Sequence, residues 1–540
     1  IGALKVRQTD VAGNVQTTGI GTNAASITVD KTPPLFTSAS VSGNTLIINY
    51  TETNIFEDFH IPATSAFTVS NNTITTVAVN SGAKTVTLTL GTPVSSGDNV
   101  TFSYADPTGN NDATAIQDEA GNDAITIVAQ HVSNNSVAGS SLSLLVVGAE
   151  TIAGAGGDDI ITAATFNNGN TGVLNTADVI NGGAGFDTLV FTDTIAEDMV
   201  VADALWTNIT NIEKIMTHQT AAGALTITTG SNFNTNFSTN GVVLTTETGL
   251  AGATTIDMST FTGNAIITAT TGGAGAHTIT TGNTTGVATV TSTNTAGVQT
   301  IKGVNLITVV ATSNGAGDQT IGDALGKGAA LTSVTAIQHG AGNLTITSTS
   351  TNSVTVNATN TGTAGNQTIT TGSGNDTINL FGTLLSSIVS ITTGAGADSI
   401  TLLAGHTGIN TIVETSSSTG LPSTTNFDTI TNYVKATDHI SYAGLILGTQ
   451  VVAASSTVAT ITSGVATFTG GAGFANHLDW TAAALNGTVG AAVIWQEGPD
   501  SFVFISDADI SLSSTDVLIK LVGVTAGSLT FDTGMITAIA

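Results

Sequence analysis

Gly317-Asp318-Gln319-Thr320-Ile321 belongs to a series. Gly275-Ala276-His277-Thr278-Ile279 and Gly297-Val298-Gln299-Thr300-Ile301 precede it, and Gly342-Asn343-Leu344-Thr345-Ile346 and Gly365-Asn366-Gln367-Thr368-Ile369 follow. The isoleucines step by 22, 20, 25 and 23 residues, after which Ile378 follows by 9 and Ile400 by 22. Weaker units stand at Gly223–Ile227 and Gly252–Ile256. A period near 22 with small polar turns and one recurring inward isoleucine predicts stacked rungs of a β-solenoid. Thr-Ile alternation also suits an ordinary sheet, so a sandwich with coincidental spacing is the other reading.

A second pattern brackets the first. Gly182-Gly183-Ala184-Gly185-Phe186-Asp187-Thr188-Leu189-Val190 matches a glycine–aspartate nonapeptide at every defined position, and Asp178 closes the unit before it. Gly154-Ala155-Gly156-Gly157-Asp158-Asp159 is a near match. Gly372-Ser373-Gly374-Asn375-Asp376 and Gly394-Ala395-Gly396-Ala397-Asp398 match from the second glycine onward. Calcium is a hard cation that takes about six to eight oxygen ligands. Glycines let the backbone turn carbonyls toward one point, and the aspartate adds a carboxylate. One such turn supplies half a coordination shell, so two must stack. The expected metal is Ca2+, with ligand residues Gly154, Gly156, Asp158, Asp159, Asp178, Gly182, Gly183, Gly185, Asp187, Gly372, Gly374, Asp376, Gly394, Gly396 and Asp398. In the units between, His277, Gln299, Gln319, Leu344 and Gln367 take the place expected for the aspartate, which predicts a mostly metal-free solenoid with calcium at its ends.

Composition excludes several functions. The 37 acidic residues against 9 basic ones, a formal net charge of −28, argue against nucleic acid, which needs clustered Lys and Arg. The chain has no cysteine, so it has no disulfide, zinc-thiolate site or cysteine nucleophile, and bound metal is an obvious alternative staple. Thr, Ile and Val recur while 62 glycines punctuate them, which reads as many short strands joined by turns. No apolar run is long enough to span a membrane. Neither H-E-x-x-H nor G-x-S-x-G occurs, and the eight histidines never pair at a zinc spacing, so no enzyme is expected within these residues. The chain opens at Ile1 in what reads as the tail of a domain, as part of a longer polypeptide.

These glycine–aspartate units resemble the RTX proteins, which are exported by type I secretion and fold on meeting extracellular calcium. That family carries tandem nonapeptides, whereas here Asp158 and Asp187 lie 29 residues apart and Asp376 and Asp398 lie 22 apart. Residues 33–135, with strand candidates Thr45–Tyr50, Phe67–Val69, Thr85–Leu90 and Val100–Tyr104, resemble a bacterial Ig-like surface repeat. Within them Asp106, Asp118 and Asn122 either ligate calcium or simply make turns. Residues 1–32, with Asp10-Val11-Ala12-Gly13-Asn14, resemble the end of another such domain.

The expected order is all-β: 1–32 the end of an Ig-like domain, 33–135 an Ig-like β-sandwich, 136–215 calcium-binding turns, 216–412 a β-solenoid, and 413–540 a β-rich cap. The cap resembles the RTX C-terminus, which implies an uncleaved type I secretion signal. Length, low charge density and Thr, Ala, Gly and Asn richness resemble the RTX-type S-layer proteins of Gram-negative bacteria. The resemblance implies a secreted structural protein of the cell surface that assembles with copies of itself, with cell-surface polysaccharide as a candidate anchor. The alternatives are a fragment of an RTX adhesin that binds a surface or glycan, and the non-catalytic tail of a secreted RTX enzyme.

Overall fold

The computed structural model describes residues 30–540, except 54–55, 60, 108–113, 146–147, 165–173, 194–196, 250–251, 283–285, 323–329, 416–420, 450–457, 471–472, 508 and 510. The expected end of an Ig-like domain falls almost wholly on 1–29, outside the described residues. The chain divides into two units, Ile1–Val137 and Ala138–Ala540. Nearly all regular structure is β.

In the first unit the strand Leu35–Thr51 serves two partners. Its later part pairs antiparallel with Thr85–Val94, placing Leu46 opposite Leu88. Its earlier part runs parallel to Ile127–Asn134, with Ser40 opposite Ser133. Period-two alternation puts Leu46, Ile48, Val86, Leu88, Phe102 and Val132 into one apolar core. All four strand candidates of this region are strands.

In the second unit the 22-residue period resolves into two strands per rung. One sheet runs in parallel from Ser141–Leu144 and Ile160–Ala164 through Val242–Thr248, Ala288–Asn294, Thr355–Asn360 and Ser399–Thr401 to Asp428–Thr431. A second parallel sheet runs from Met199–Val201 through His277–Thr281, Gln319–Gly322 and Gln367–Thr370 to His439–Tyr442. Ile227, Ile256, Ile279, Ile301, Ile321, Ile346, Ile369, Ile391 and Ile412 form one file of the second sheet, every member essentially sealed from solvent. Register is therefore held rung after rung, which a sandwich with chance spacing would not do.

The nine-residue step from Ile369 to Ile378 crosses the solenoid. Ile378 and Ile400 continue the file of Val334 and Val356 in the first sheet. This corrects the expected equivalence of ligand positions: Asp376 and Asp398 introduce first-sheet strands, while His277, Gln299, Gln319, Leu344 and Gln367 open second-sheet strands. Both half-rungs carry the pattern x-Thr-Ile because both bury one isoleucine behind a turn, so the sequence alone merges them.

Two features interrupt the rungs. The helix Ser231–Phe237 buries Phe233 and Phe237 against Trp206 and Phe261 at ring separations of 5.1–5.9 Å, and Asp203 accepts the N–H groups of Asn232 and Phe233 at the helix start. At the C-terminal end the helix Phe474–Leu485 covers a separate core of Trp495, Phe502, Phe504 and Leu518. The cap is joined to the stack, because Val517–Leu521 pairs in parallel with Asp428–Thr431 and Met535–Ile539 runs antiparallel to His439–Tyr442.

Candidate metal centres

The aspartates of interest occupy one structural position: the residue just before a first-sheet strand, where the chain leaves its glycine turn and enters the interior. Register places Asp159, Asp187 and Glu213 in one file at the N-terminal end, and Asp376, Asp398 and Asp428 in the same file at the C-terminal end. Between them the file is uncharged, with Val242, Ala265, Ala288 and Leu306 in register, Thr332 next, and Val354 just before the second acidic run.

Each acid caps the rung beneath it. Asp159 Oδ1 accepts the Ser140 N–H at 2.5 Å, Asp187 Oδ1 accepts the Asp159 N–H at 2.7 Å, and Glu213 Oε2 accepts the Asp187 N–H at 2.8 Å. At the other end Asp376 Oδ1 accepts from Val354, Asp398 Oδ1 from Asp376 and Asp428 Oδ1 from Asp398, all at 2.7–2.8 Å. Asp376 and Asp398 are thus one rung apart on the same edge.

Hydrogen bonding does not account for the charge. On the exposed edge of the second sheet an amide does the same work: Asn343 Oδ1 accepts the Asn366 N–H at 2.9 Å and Asn366 Oδ1 accepts the Ile388 N–H at 3.2 Å. In the middle of the solenoid Val, Ala and Leu fill the acid's position. The acids also carry a surplus oxygen: Oδ2 of Asp187, Asp376, Asp398 and Asp428 is buried without a hydrogen bond. Burial raises the carboxyls of Glu213 and Asp376 above their ordinary range. Burial, reinforced by the like charges of Glu213, Asp159 and Asp158, pushes Asp187 up to about 6. Burial, with Asp376 and Glu414 nearby, pushes Asp398 up to about 7. Burial and the charges of Glu414 and Asp398 hold Asp428 well above the usual carboxylate range.

The glycines complete the setting. Gly183 adopts φ +103°, which side chains rarely tolerate. A Cβ on Gly182 would stand 1.9 Å from the Asn211 carbonyl oxygen and 2.4 Å from Asp187 Oδ2, and one on Gly154 would stand 1.8 Å from the Gly182 carbonyl and 2.3 Å from Asp159 Oδ2. Only glycine lets backbone carbonyls and carboxylates come this close. The donors are all oxygen, the choice of a hard cation such as calcium. The other candidates are placed differently. Asp158 Oδ1 accepts the Phe186 N–H at 2.9 Å, and Asp178 spends its two oxygens on the N–H groups of Glu150 and Asn175. Gly372, Gly374, Gly394 and Gly396 stack rung on rung, a Cβ on Gly394 meeting the Gly372 carbonyl at 1.8 Å and one on Gly396 the Gly374 carbonyl at 2.0 Å. Gly156 and Gly185 lie in the two N-terminal turns, Gly185 at φ +143°.

Sequence reading missed Glu213, Asp428 and Glu414. The usable signal was the acid-x-aliphatic triplet that opens these first-sheet strands, as in Asp376-Thr377-Ile378, Glu213-Lys214-Ile215 and Asp428-Thr429-Ile430. Glu414 has no such signal, since it ends a second-sheet strand.

In the first unit the structure groups Asp118 with Asp30 and Glu52, with ligand atoms of the three within 4.8 Å of one another. Asp118 also holds its own turn, accepting the N–H and the side-chain amide of Asn122 at 2.8 Å. Among the described residues no helix is long and apolar enough to cross a membrane.

Residues 29–109 match the SWM repeat, described as a "putative flagellar system-associated repeat", a repeat of bacterial surface type. The match covers most of the first unit's strands and none of the solenoid. No curated protein matches the chain.

Proposed function

We propose that this chain is a structural protein of a bacterial cell surface, held rigid by calcium and assembling with copies of itself in an S-layer-type lattice. The observation that carries the reading is the pair of acidic files at the two ends of the solenoid, each with buried, unbonded carboxylate oxygens in glycine-lined turns. Such files are unfavourable as bare charges and favourable around a divalent cation. The role is mechanical and not catalytic. The solenoid faces carry rows of threonine, as at Thr278, Thr300, Thr320, Thr345 and Thr368 along the second sheet, with few charges to oppose contact between neighbours.

A net charge of −28 opposes close packing of identical copies. Calcium relieves it by filling internal turns and by bridging carboxylates of adjacent copies, whereas sodium only screens. Residues read as an RTX-like cap fit export of an extended chain that folds outside, where calcium is plentiful. The test is sedimentation and electron microscopy of the purified chain as calcium is titrated at constant ionic strength. Ordered sheets are expected only above a calcium threshold, with sodium unable to substitute.

A second reading draws on the surface-type repeat at 29–109: a fragment of an adhesin or of an appendage-associated protein, bearing the solenoid as a stalk. A chain that stays monomeric at millimolar calcium and high concentration favours that reading over the lattice.

A further inference from the structure

One acid at the C-terminal end of the second sheet is fully engaged. Asp438 stands just before the strand His439–Tyr442, in file with Asn410 of the rung beneath. Its Oδ1 accepts the Asn410 side-chain amide at 2.8 Å and the Asn410 N–H at 3.2 Å, and its Oδ2 accepts the Val434 N–H at 2.7 Å. His406, in the turn between Ser399–Thr401 and Asn410–Glu414, brings Nε2 to 2.9 and 3.0 Å from the two carboxylate oxygens. The other ring nitrogen, Nδ1, lies 2.7 Å from the Leu403 carbonyl oxygen. The two side chains are 3% and 0% exposed, whereas the described pairs His218–Glu247 and His477–Glu497 both reach solvent.

This geometry fixes where the protons are. A carbonyl oxygen only accepts, and so does an ionised carboxylate. Asp438 takes N–H donors on both oxygens, the setting that favours its ionised form. Both nitrogens of His406 then have to donate, which an imidazole does only while it carries its second proton. A ring that gives that proton up turns a lone pair toward an acceptor, at a place where no solvent takes over the bond. The titratable groups around the pair do not replace it. Tyr433 donates its hydroxyl to the Asp438 carbonyl at 2.8 Å, and burial together with the Asp438 charge holds that phenol above its ordinary range. Lys435, in the same turn, reaches away to the Thr525 and Ala540 carbonyls. His439 lies in the outward file of Thr411, and Glu414 closes the far end of the strand that Asn410 opens.

The place matters because Asp438 leads into the last parallel strand of the second sheet. The strand Met535–Ile539 is held on it antiparallel, in register at Ile440–Ile536 and Ser441–Met535, and forms a hairpin with Leu529–Asp532. The stack passes to that hairpin through the strand that the His406–Asp438 bond fixes. We propose that His406 and Asp438 are a pH-sensitive latch: the proton held between them fastens His439–Tyr442 to the last rung, and its loss loosens that strand and the hairpin beyond it. The sign follows from the bond. The pair stabilises the folded chain while His406 stays doubly protonated, and that contribution is lost as pH rises. The latch does not depend on the calcium reading, since neither residue belongs to a glycine–aspartate turn.

The test uses the whole chain at constant calcium and ionic strength, over about pH 5 to 9, the span around which histidine changes charge. Amide exchange, corrected for the intrinsic effect of pH, is followed at Asn410–Glu414, His439–Tyr442 and Met535–Ile539, with Ala288–Asn294 as the reference. Protection of the first three strands is expected to fall about tenfold or more as pH rises, while the reference holds. His406→Gln keeps a donor and an acceptor but cannot be charged, and it is expected to flatten that fall. Flat protection in the wild type, or a fall as steep in His406→Gln as in the wild type, overturns the proposal. Nitrogen NMR of the His406 ring in the wild type gives a readout that needs no variant to fold. Hydrogen on both ring nitrogens is expected at about pH 6, and a bare nitrogen there overturns the latch as well.

Discussion

The ends and the middle of the solenoid solve the same problem with different chemistry. Both must turn the chain sharply, cap exposed backbone N–H groups and bury one aliphatic side chain per half-rung. In the middle the first-sheet position holds Val242, Ala265 and Ala288, and the second-sheet position holds His277, Gln299 and Gln319, neutral groups that bond along the stack. Gln319 Nε2 donates to Gln299 Oε1 at 2.5 Å and Gln299 Nε2 to Ser292 Oγ at 2.7 Å. At the ends the first-sheet position is acidic. A neutral stack stands on packing and hydrogen bonds alone. On the proposed calcium reading an acidic one is completed by a cation, which would make the fold conditional where its stack begins and stops.

The largest expected consequence is spatial. Withdrawing calcium should unravel the ends and spare the middle. A site saturated at 100 times its Kd contributes about 2.7 kcal/mol, and each end holds more than one carboxylate pair. Amide exchange with chelator should lose protection over the end strands Ser141–Leu144, Ile160–Ala164, Thr188–Asp193, Thr377–Gly382, Ser399–Thr401 and Asp428–Thr431 while Val242–Thr248 and Ala288–Asn294 keep theirs. Uniform loss along the stack would erase the distinction between the regions.

The converse experiment removes packing from the middle. Ile301 is fully buried in the isoleucine file, and Ile301→Ala should cost about 2–5 kcal/mol through lost burial and the cavity left behind. The cost should be the same with calcium and with chelator. A penalty that appears only in one of the two conditions would tie the middle to the metal after all.

The rung period and the isoleucine file were legible because burying one apolar residue per turn leaves a spacing that insertions shift but do not destroy. The two-strand nature of the rung was not, because Thr-Ile reads alike on both walls and only the nine-residue step to Ile378 betrayed the crossing. Asp187, Asp376 and Asp398 could be picked out because glycines precede them, whereas Asp428 follows Asn426-Phe427 and Glu414 follows Ile412-Val413. Which acids share a file, as Asp428 does with Asp398, depends on which rungs stack, a long-range fact with no local signature. The helix Phe474–Leu485 carries Leu478, Ala482 and Leu485 at helical spacing and could have been read, while Ser231–Phe237 is too rich in Asn for propensity to reveal.

A pH experiment sharpens the comparison from the neutral side. His277 is wholly buried, its Nδ1 3.3 Å from Ser292 Oγ, and its in-register neighbours Thr254 and Gln299 do not titrate. Burial lowers it from 6.5 to about 4. A folded value below the unfolded one means stability is fully present above about pH 6.5, falls as pH drops toward 4 while the unfolded chain alone takes up the proton, and loses nothing further from this group below that. The difference of roughly 2.5 units corresponds to about 3 kcal/mol. His277→Gln copies its neighbours Gln299 and Gln319 and should flatten that part of the profile of unfolding free energy between pH 6.5 and 4. An unchanged slope would place the acid sensitivity elsewhere.

The smallest effect bears most directly on why the ends are acidic. Asn366 Oδ1 and Asp376 Oδ1 accept rung N–H groups in the same manner, one on an exposed edge and one inside. Asn366→Ala removes a neutral bond next to water and should cost about 1 kcal/mol, equally with calcium and chelator. Asp376→Asn keeps an acceptor for the Val354 N–H and removes only charge. In chelator it should be neutral or mildly stabilising, since burial disfavours the carboxylate there. With calcium it should forfeit part of the stabilisation the metal gives wild type. Melting curves of both variants in both conditions make the check. If Asp376→Asn costs the same in each, the carboxylate serves as a hydrogen-bond cap and nothing more, and the acids of the ends differ from the amides of the middle in name only.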